Sequence, residues 1–134
     1  MLARNIQLTL QLEPVTVSGD RTQLKTAFDN LLGNAVKFVP DDGAIGVQMK
    51  VKTSKVNVLV EDNGPGVSEE DRAQIFQPFF QGKQQARSAV KGSGLGLAIS
   101  REYVENGGGT LRLLPSSHGA RFSLTLPLAV KEAS

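Results

Sequence analysis

A chain of 134 residues, 40% hydrophobic and 21% charged, reads as one soluble globular domain with a core of its own. It has no cysteine, which excludes disulfides and thiolate metal sites, and its one histidine, His118, cannot build a histidine metal site alone. A net charge of +2 is too mild to argue for nucleic acid, and no apolar run approaches the roughly 18 residues needed to cross a bilayer.

The opening "MLARNIQLTLQLEP" alternates rather than running apolar, so it does not read as a signal peptide. Ile6, Leu8, Leu10 and Leu12 alternate as in a half-buried strand, which Val15 and Val17 extend beyond Pro14. Asp20 starts a helix, with Gln23 three residues on as a weaker capping box, and the helical pattern runs to about Phe38. Pro40-Asp41-Asp42-Gly43 ends it with turn chemistry. Ile45, Val47, Met49 and Val51 predict a strand. Thr53-Ser54 turns the chain, and Val56, Val58 and Val60 return as a hairpin. "EDNGPG" breaks that strand. Ser68 then caps a short acidic helix, "SEEDRAQIF", whose Glu69, Glu70 and Asp71 suit a helix N-terminus. Gln77 to Gly92 has little periodicity and reads as a long loop. From Gln81 to Arg101, Lys83, Arg87, Lys91 and Arg101 stand with no acidic residue among them. This is either a solvated loop or a segment that meets an anion. Leu95 to Glu105 is helical, Asn106-Gly107-Gly108-Gly109 stops it, and Thr110–Leu114 and Arg121–Leu126 are strands around "PSSHG". There is no internal repeat and no linker. The order predicts a single α+β domain over residues 1–134: a two-layer sandwich with a mixed, mainly antiparallel sheet and about three helices on one face.

The first helix has two faces. With Asn30 at zero on a helical wheel, Asn34 falls near about 40° and Lys37 near about −20°, while the apolar residues from Leu24 to Phe38 fill an arc from about 60° to about 240°. An ordinary amphipathic helix accounts for this pattern. Asn, however, is a poor helix former, and two of them one turn apart suit a Mg²⁺–phosphate ligand: an amide oxygen on the metal, with Lys37 as a point charge on a phosphate. "DNGPG" is either a plain turn at a strand end or a base-reading turn. In the second case Asp62 accepts from an exocyclic amine, and Gly64 and Gly66 let a flat ring lie on the backbone. "GSGLG" fails two familiar tests. Counted from Gly92 or from Gly94, the third glycine of G-x-G-x-x-G falls on Leu97 or Ile99, and no G-x-x-x-x-G-K-[ST] run exists. What remains is a glycine-rich loop feeding a helix N-terminus, which suits a phosphate chain.

The order of these motifs resembles one family, the ATP-binding catalytic domain of bacterial sensor histidine kinases, within the wider gyrase–Hsp90–kinase–MutL superfamily. "DNLLGNAVKF" resembles its N box, "DNGPG" its G1 box, "IFQPFF" its F box and "GSGLGL" its G2 box, and "GARFSLTLPL" resembles its last strand. "PFFQG" with "AVKGSGLGL" is similar to membrane sensor kinases of the QseE/GlrK type. The resemblance implies a Bergerat ATP-binding fold, ATP and Mg²⁺ as cofactors, and Asn34 as the metal-binding asparagine with Asn30 beside it. It implies Asn30, Asn34 and Lys37 as catalytic residues. Nucleotide contacts fall to Asn34, Lys37, Phe38, Asp62, Gly64, Gly66, Lys91, Gly92, Ser93, Gly94, Leu95 and Gly96. Phe76, Phe79 and Phe80 stand as lid anchors.

The implied reaction is transfer of the γ-phosphoryl of ATP to a histidine on a separate dimerisation domain, and through it to a response regulator. No helical box with an acceptor histidine is present, and His118 lies in a turn. The chain therefore reads as a cytoplasmic, monomeric catalytic fragment of an inner-membrane kinase, unable to autophosphorylate alone. A neutral Asn30, where superfamily ATPases carry a glutamate base, implies slow hydrolysis to ADP. The same residue speaks against the two nearest alternatives, an anti-sigma-type serine kinase and an ATP-driven clamp. A non-catalytic scaffold is opposed by the intact boxes.

Overall fold

The computed structural model describes residues 6–17, 19–78, 96–116 and 119–129. Five strands, β1 (Gln7–Gln11), β2 (Ala44–Val51), β3 (Lys55–Asp62), β4 (Thr110–Leu114) and β5 (Arg121–Pro127), form one sheet in the order β1-β2-β3-β5-β4. Three helices accompany them: α1 (Arg21–Phe38), α2 (Glu69–Arg72) and α3 (Gly96–Asn106). Only the β1–β2 pair is parallel; the others are antiparallel, so the sheet is mixed as the pattern implied. The parallel pair follows from α1, which carries the chain back across one face between β1 and β2.

Strand alternation sorts the two sides of the sheet. Val56, Val58 and Val60 of β3 lie opposite Leu126, Leu124 and Phe122 of β5, and all six are buried. Onto them pack Leu24, Ala27 and Leu31 of α1 and Val104 of α3, spaced to share one stripe of each helix. Leu31 and Leu124 are fully buried, and each such side chain contributes roughly 1.5–3 kcal/mol. The other side of the sheet is polar. There Asn57 donates across strands to Ser123 Oγ at 2.7 Å and Thr125 Oγ1 at 3.1 Å.

The helix ends follow their local chemistry. Asp20 caps α1 by accepting from the Gln23 N–H at 2.9 Å. The Gln23 side chain does not return to Asp20 as a full capping box requires; it accepts from Asn106 Nδ2 at 3.3 Å and ties the start of α1 to the end of α3. The Gly107-Gly108-Gly109 run stops α3, with the Gly109 N–H on the Val104 carbonyl.

Three expectations are corrected. Val15 and Val17 do not prolong β1: Val17 bridges Leu128, so this segment crosses to the far end of β5. The acidic helix is shorter than the "SEEDRAQIF" stretch and spans only Glu69–Arg72. Ser68 caps it, but after Arg72 the bonds tighten, with the Gln74 N–H on the Asp71 carbonyl and the Gln77 N–H on that of Gln74. That tighter turn brings Ile75 into the core and sets Phe76 edge-on to Phe122, ring centroids 6.2 Å apart. Finally, β1 is not half-buried. Leu8 and Leu10 lie opposite Ile45 and Val47 on the helix side, yet they are 55% and 52% exposed, so the burial of β2 does not extend to the edge strand.

Candidate functional site

β3 ends in Asp62, a buried carboxylate at a sheet end. Its Oδ1 accepts from the Gly64 N–H at 2.8 Å and from the Ala120 N–H at 3.4 Å, while Oδ2 takes no partner among the described residues. The carboxylate is thus turned by the backbone, with one oxygen held and the other presented. Burial pushes its pKa above the ordinary 3.8, and the two N–H groups pull the other way. The turn around it is close-packed. A Cβ at Gly64 would stand 2.8 Å from the Phe38 carbonyl oxygen, and one at Gly119, whose φ is +69°, would collide with the Asp62 carbonyl oxygen. Asn63 adds a further tie, its Oδ1 accepting from the Ala44 N–H at 2.8 Å.

The Gly64–Phe38 contact places this turn at the C-terminal end of α1. The other end of the polar edge meets α3, where Asn30 Nδ2 donates to the Gly96 carbonyl at 3.3 Å. Between Asn30 and Phe38, a rise of about 12 Å along the helix, lie Asn34 and Lys37, both half-buried. The Lys37 ammonium sits 5.5 Å from the centre of the Phe38 ring, in the last turn of α1, where the helix dipole favours a cation. Asp29, one position from Asn30, turns away and pairs with Lys25 at 2.9 Å on the exposed side.

The structure therefore lines up Asn30, Asn34, Lys37, Phe38, Asp62, Gly64 and Gly96 along one side of α1. Gly66, with φ +78°, follows in the same turn as Asp62 and packs on the Gly119 carbonyl. Lys91, Gly92, Ser93, Gly94 and Leu95 lie outside the described residues, as do Phe79, Phe80, Lys83, Arg87 and His118. Two contributors were not legible in the sequence. Ala120 supplies half of the grip on Asp62 from 58 positions away, and the only local hint is a glycine directly before it at the start of β5. Ser100, fully buried, reaches both the Gly96 carbonyl at 2.8 Å and the Ala27 carbonyl at 3.2 Å. Nothing in a helical pattern marks it.

The donors set limits on what this edge holds. Asp62 Oδ2 is an acceptor beside a backbone-lined turn, suited to an amine on a flat ring. No cluster of His, Cys, Asp or Glu able to hold a metal occurs among the described residues. The amide oxygens of Asn30 and Asn34 are hard ligands, fitting a Mg²⁺ ion that arrives already bound to phosphate oxygens and water.

The chain as a whole is similar to known proteins. A family model described as "Histidine kinase-, DNA gyrase B-, and HSP90-like ATPase" matches residues 19–130. The chain is 34% identical over 126 residues to the sensor histidine kinase GlrK of Escherichia coli K12, covering 93% of this chain and 26% of that protein. The solved mycobacterial sensor histidine kinase MprB superposes with a TM-score of 0.84 at 33% identity, over 95% of this chain and 86% of that one. Full-length ShkA, solved in complex with AMPPNP, superposes with a TM-score of 0.74 at 30% identity, over 96% of this chain and 26% of that one. The chain spans about a quarter of the length of the curated relatives it matches. With that coverage and identity, the chain belongs to the histidine kinase-, DNA gyrase B- and HSP90-like ATPase family, in its sensor histidine kinase branch.

Proposed function

We propose that residues 1–134 act as one catalytic domain that binds Mg·ATP and offers the γ-phosphoryl group to a histidine on the dimerisation domain of the same sensor kinase. From there the group passes to a response regulator. The observation that carries this is Asp62, with Oδ1 tied to two backbone N–H groups and Oδ2 left for the adenine amine. Gly64 and Gly66 flank the base. Asn34 holds Mg²⁺ through its amide oxygen, with Asn30 one turn before it. Lys37 meets a phosphate and Phe38 lies near the nucleotide. Lys91, Gly92, Ser93, Gly94, Leu95 and Gly96 complete the nucleotide contacts in this reading. The AMPPNP complex of ShkA supports an ATP-type ligand on this fold.

Asn30 also bears on the fate of the phosphoryl group. It is neutral and spends its N–H on Gly96, so it cannot take a proton from water, and Asp29 is turned away. Hydrolysis to ADP is accordingly slow, well under about 1 s⁻¹. The isolated chain is a monomer that does not phosphorylate itself. No helix among the described residues is long and apolar enough to cross a membrane. The domain works on the cytoplasmic side of a kinase held in the bacterial inner membrane.

Calorimetry with Mg·AMPPNP tests the reading. Wild type binds, and Asp62→Asn weakens binding roughly 10- to 150-fold, the range for a hydrogen bond to a charged group. This substitution is sharper than alanine because Asn keeps an oxygen for Gly64 and Ala120 but places an N–H₂ where Oδ2 was, donor against donor. Unchanged affinity in a folded Asp62→Asn variant refutes the assignment of the base end.

A further inference from the structure

Ser100 is out of place by ordinary rules. It lies inside α3 and between two helices, fully buried, where alanine would be the better helix former and would bury no hydroxyl. Its Oγ donates to the Gly96 carbonyl, one turn back, at 2.8 Å and lies 3.2 Å from the Ala27 carbonyl of α1. A hydroxyl has one proton, so these two acceptors share it. The Gly96 carbonyl in turn takes the Asn30 amide at 3.3 Å. Ala27 and Asn30 are one turn apart on α1, and Gly96 and Ser100 are one turn apart on α3. Three contacts thus link four groups in a chain across the helix pair, from the Ala27 carbonyl through Ser100 and the Gly96 carbonyl to Asn30, in a part of the interface where water does not reach Ser100.

This chain of contacts fixes a choice that Asn30 would otherwise be free to make. A carboxamide has a donor end and an acceptor end, and free rotation about its last bond presents either one. Because the Gly96 carbonyl accepts, Nδ2 must face α3 and Oδ1 must face away from it. Oxygen outward suits a metal ion or its bound water and repels a bare phosphate oxygen. Steric fit does not set this orientation, since a Cβ on Gly96 would only touch Asn30 at 3.8 Å, an ordinary contact. Hydrogen bonding sets it, and the buried hydroxyl holds the shared carbonyl in place.

We infer that Ser100 is a positioning residue for the phosphate end of the nucleotide site: through the Gly96 carbonyl it fixes the carboxamide of Asn30 with its oxygen toward the bound Mg·phosphate. This rests on the nucleotide reading given above and adds to it a residue that touches no ligand.

The test separates the two ends of the site. Calorimetry on the 134-residue chain measures adenosine, which engages the Asp62 end, and Mg·AMPPNP, which engages both. Ser100→Ala is expected to weaken Mg·AMPPNP about ten-fold while adenosine stays within about two-fold. Asn30→Ala gives the same selective loss. In the double variant Ser100→Ala adds no more than about two-fold, because the two residues act through one carbonyl. Equal losses for both ligands, no loss for Mg·AMPPNP, or fully additive losses in the double variant each overturn the positioning role. A wild type that binds neither ligand overturns the nucleotide reading and the positioning role together, so the two failures are told apart by the wild-type control.

Discussion

The two ends of the candidate site are built by different means. At Asp62 the geometry is made by backbone: two N–H groups grip one oxygen, and Gly64 and Gly119 let chain segments approach closer than any side chain permits. At Asn30 it is made by side chains, a carboxamide and a hydroxyl meeting on the Gly96 carbonyl between two helices. A site made by backbone is rigid and tolerates little change. A site made by side chains is adjustable one residue at a time. The division matches what each end is proposed to hold: a flat, unchanging base at the first, and a phosphate chain whose end group must leave at the second.

The steepest test of this contrast is Gly119→Ala. The added Cβ would meet the Asp62 carbonyl oxygen on a backbone at φ +69°, so both the space and the conformation are wrong. A loss of about 3–5 kcal/mol in denaturant unfolding is expected; a loss under about 1 kcal/mol would show that the turn yields easily and is not rigid. Asn30→Asp comes next. It turns a donor into a carboxylate against the Gly96 carbonyl, at a cost of about 1–2 kcal/mol because the group is only half-buried. A cost equal to that of Gly119→Ala would erase the contrast.

The pH dependence of Asp62 is subtler. Burial raises its pKa above 3.8, so the native chain holds the proton more tightly than the unfolded chain. The stability contributed by this group is therefore full below 3.8 and is lost as pH rises through the raised value. Denaturation midpoints of wild type and Asp62→Asn should diverge in favour of Asn across that window and run parallel above it. Nucleotide affinity should move the other way, falling as pH drops through the raised pKa, since a protonated carboxyl no longer offers both oxygens to donors. Last and smallest, Asp29→Ala removes only an exposed ion pair with Lys25, and its effect on melting should stay within about 0.5 kcal/mol.

How much of this was legible in the sequence depends on distance along the chain. The caps at Asp20 and Ser68, the hairpin of β2 and β3, and the glycine stop of α3 are local matters of spacing and residue type, and they stand where the pattern placed them. The polar edge of α1 is equally local, which is why Asn30, Asn34 and Lys37 emerged from a helical wheel. The grip of Ala120 on Asp62 and the contacts through Ser100 join residues more than fifty positions apart, and no periodicity reports that. The first strand shows the complementary limit. Alternation says which residues share a face, and Leu8 and Leu10 do share the face of Ile45 and Val47. It does not say whether a second layer extends far enough to cover them.

That edge strand has a mechanical consequence. Among the described residues β1 pairs with no strand but β2 and is fastened by little apolar burial, whereas Asp62, α1 and α3 are bound into the core. A pull on the chain ahead of Gln7 therefore reaches the weakest seam of the sheet first. The five residues of β1 can peel away and re-zip as a unit while the nucleotide end keeps its shape. Amide exchange should record this as early deuteration of Gln7–Gln11, with β3 and β5 still protected. In that order of opening, the edge of the sheet gives way before either end of the candidate site.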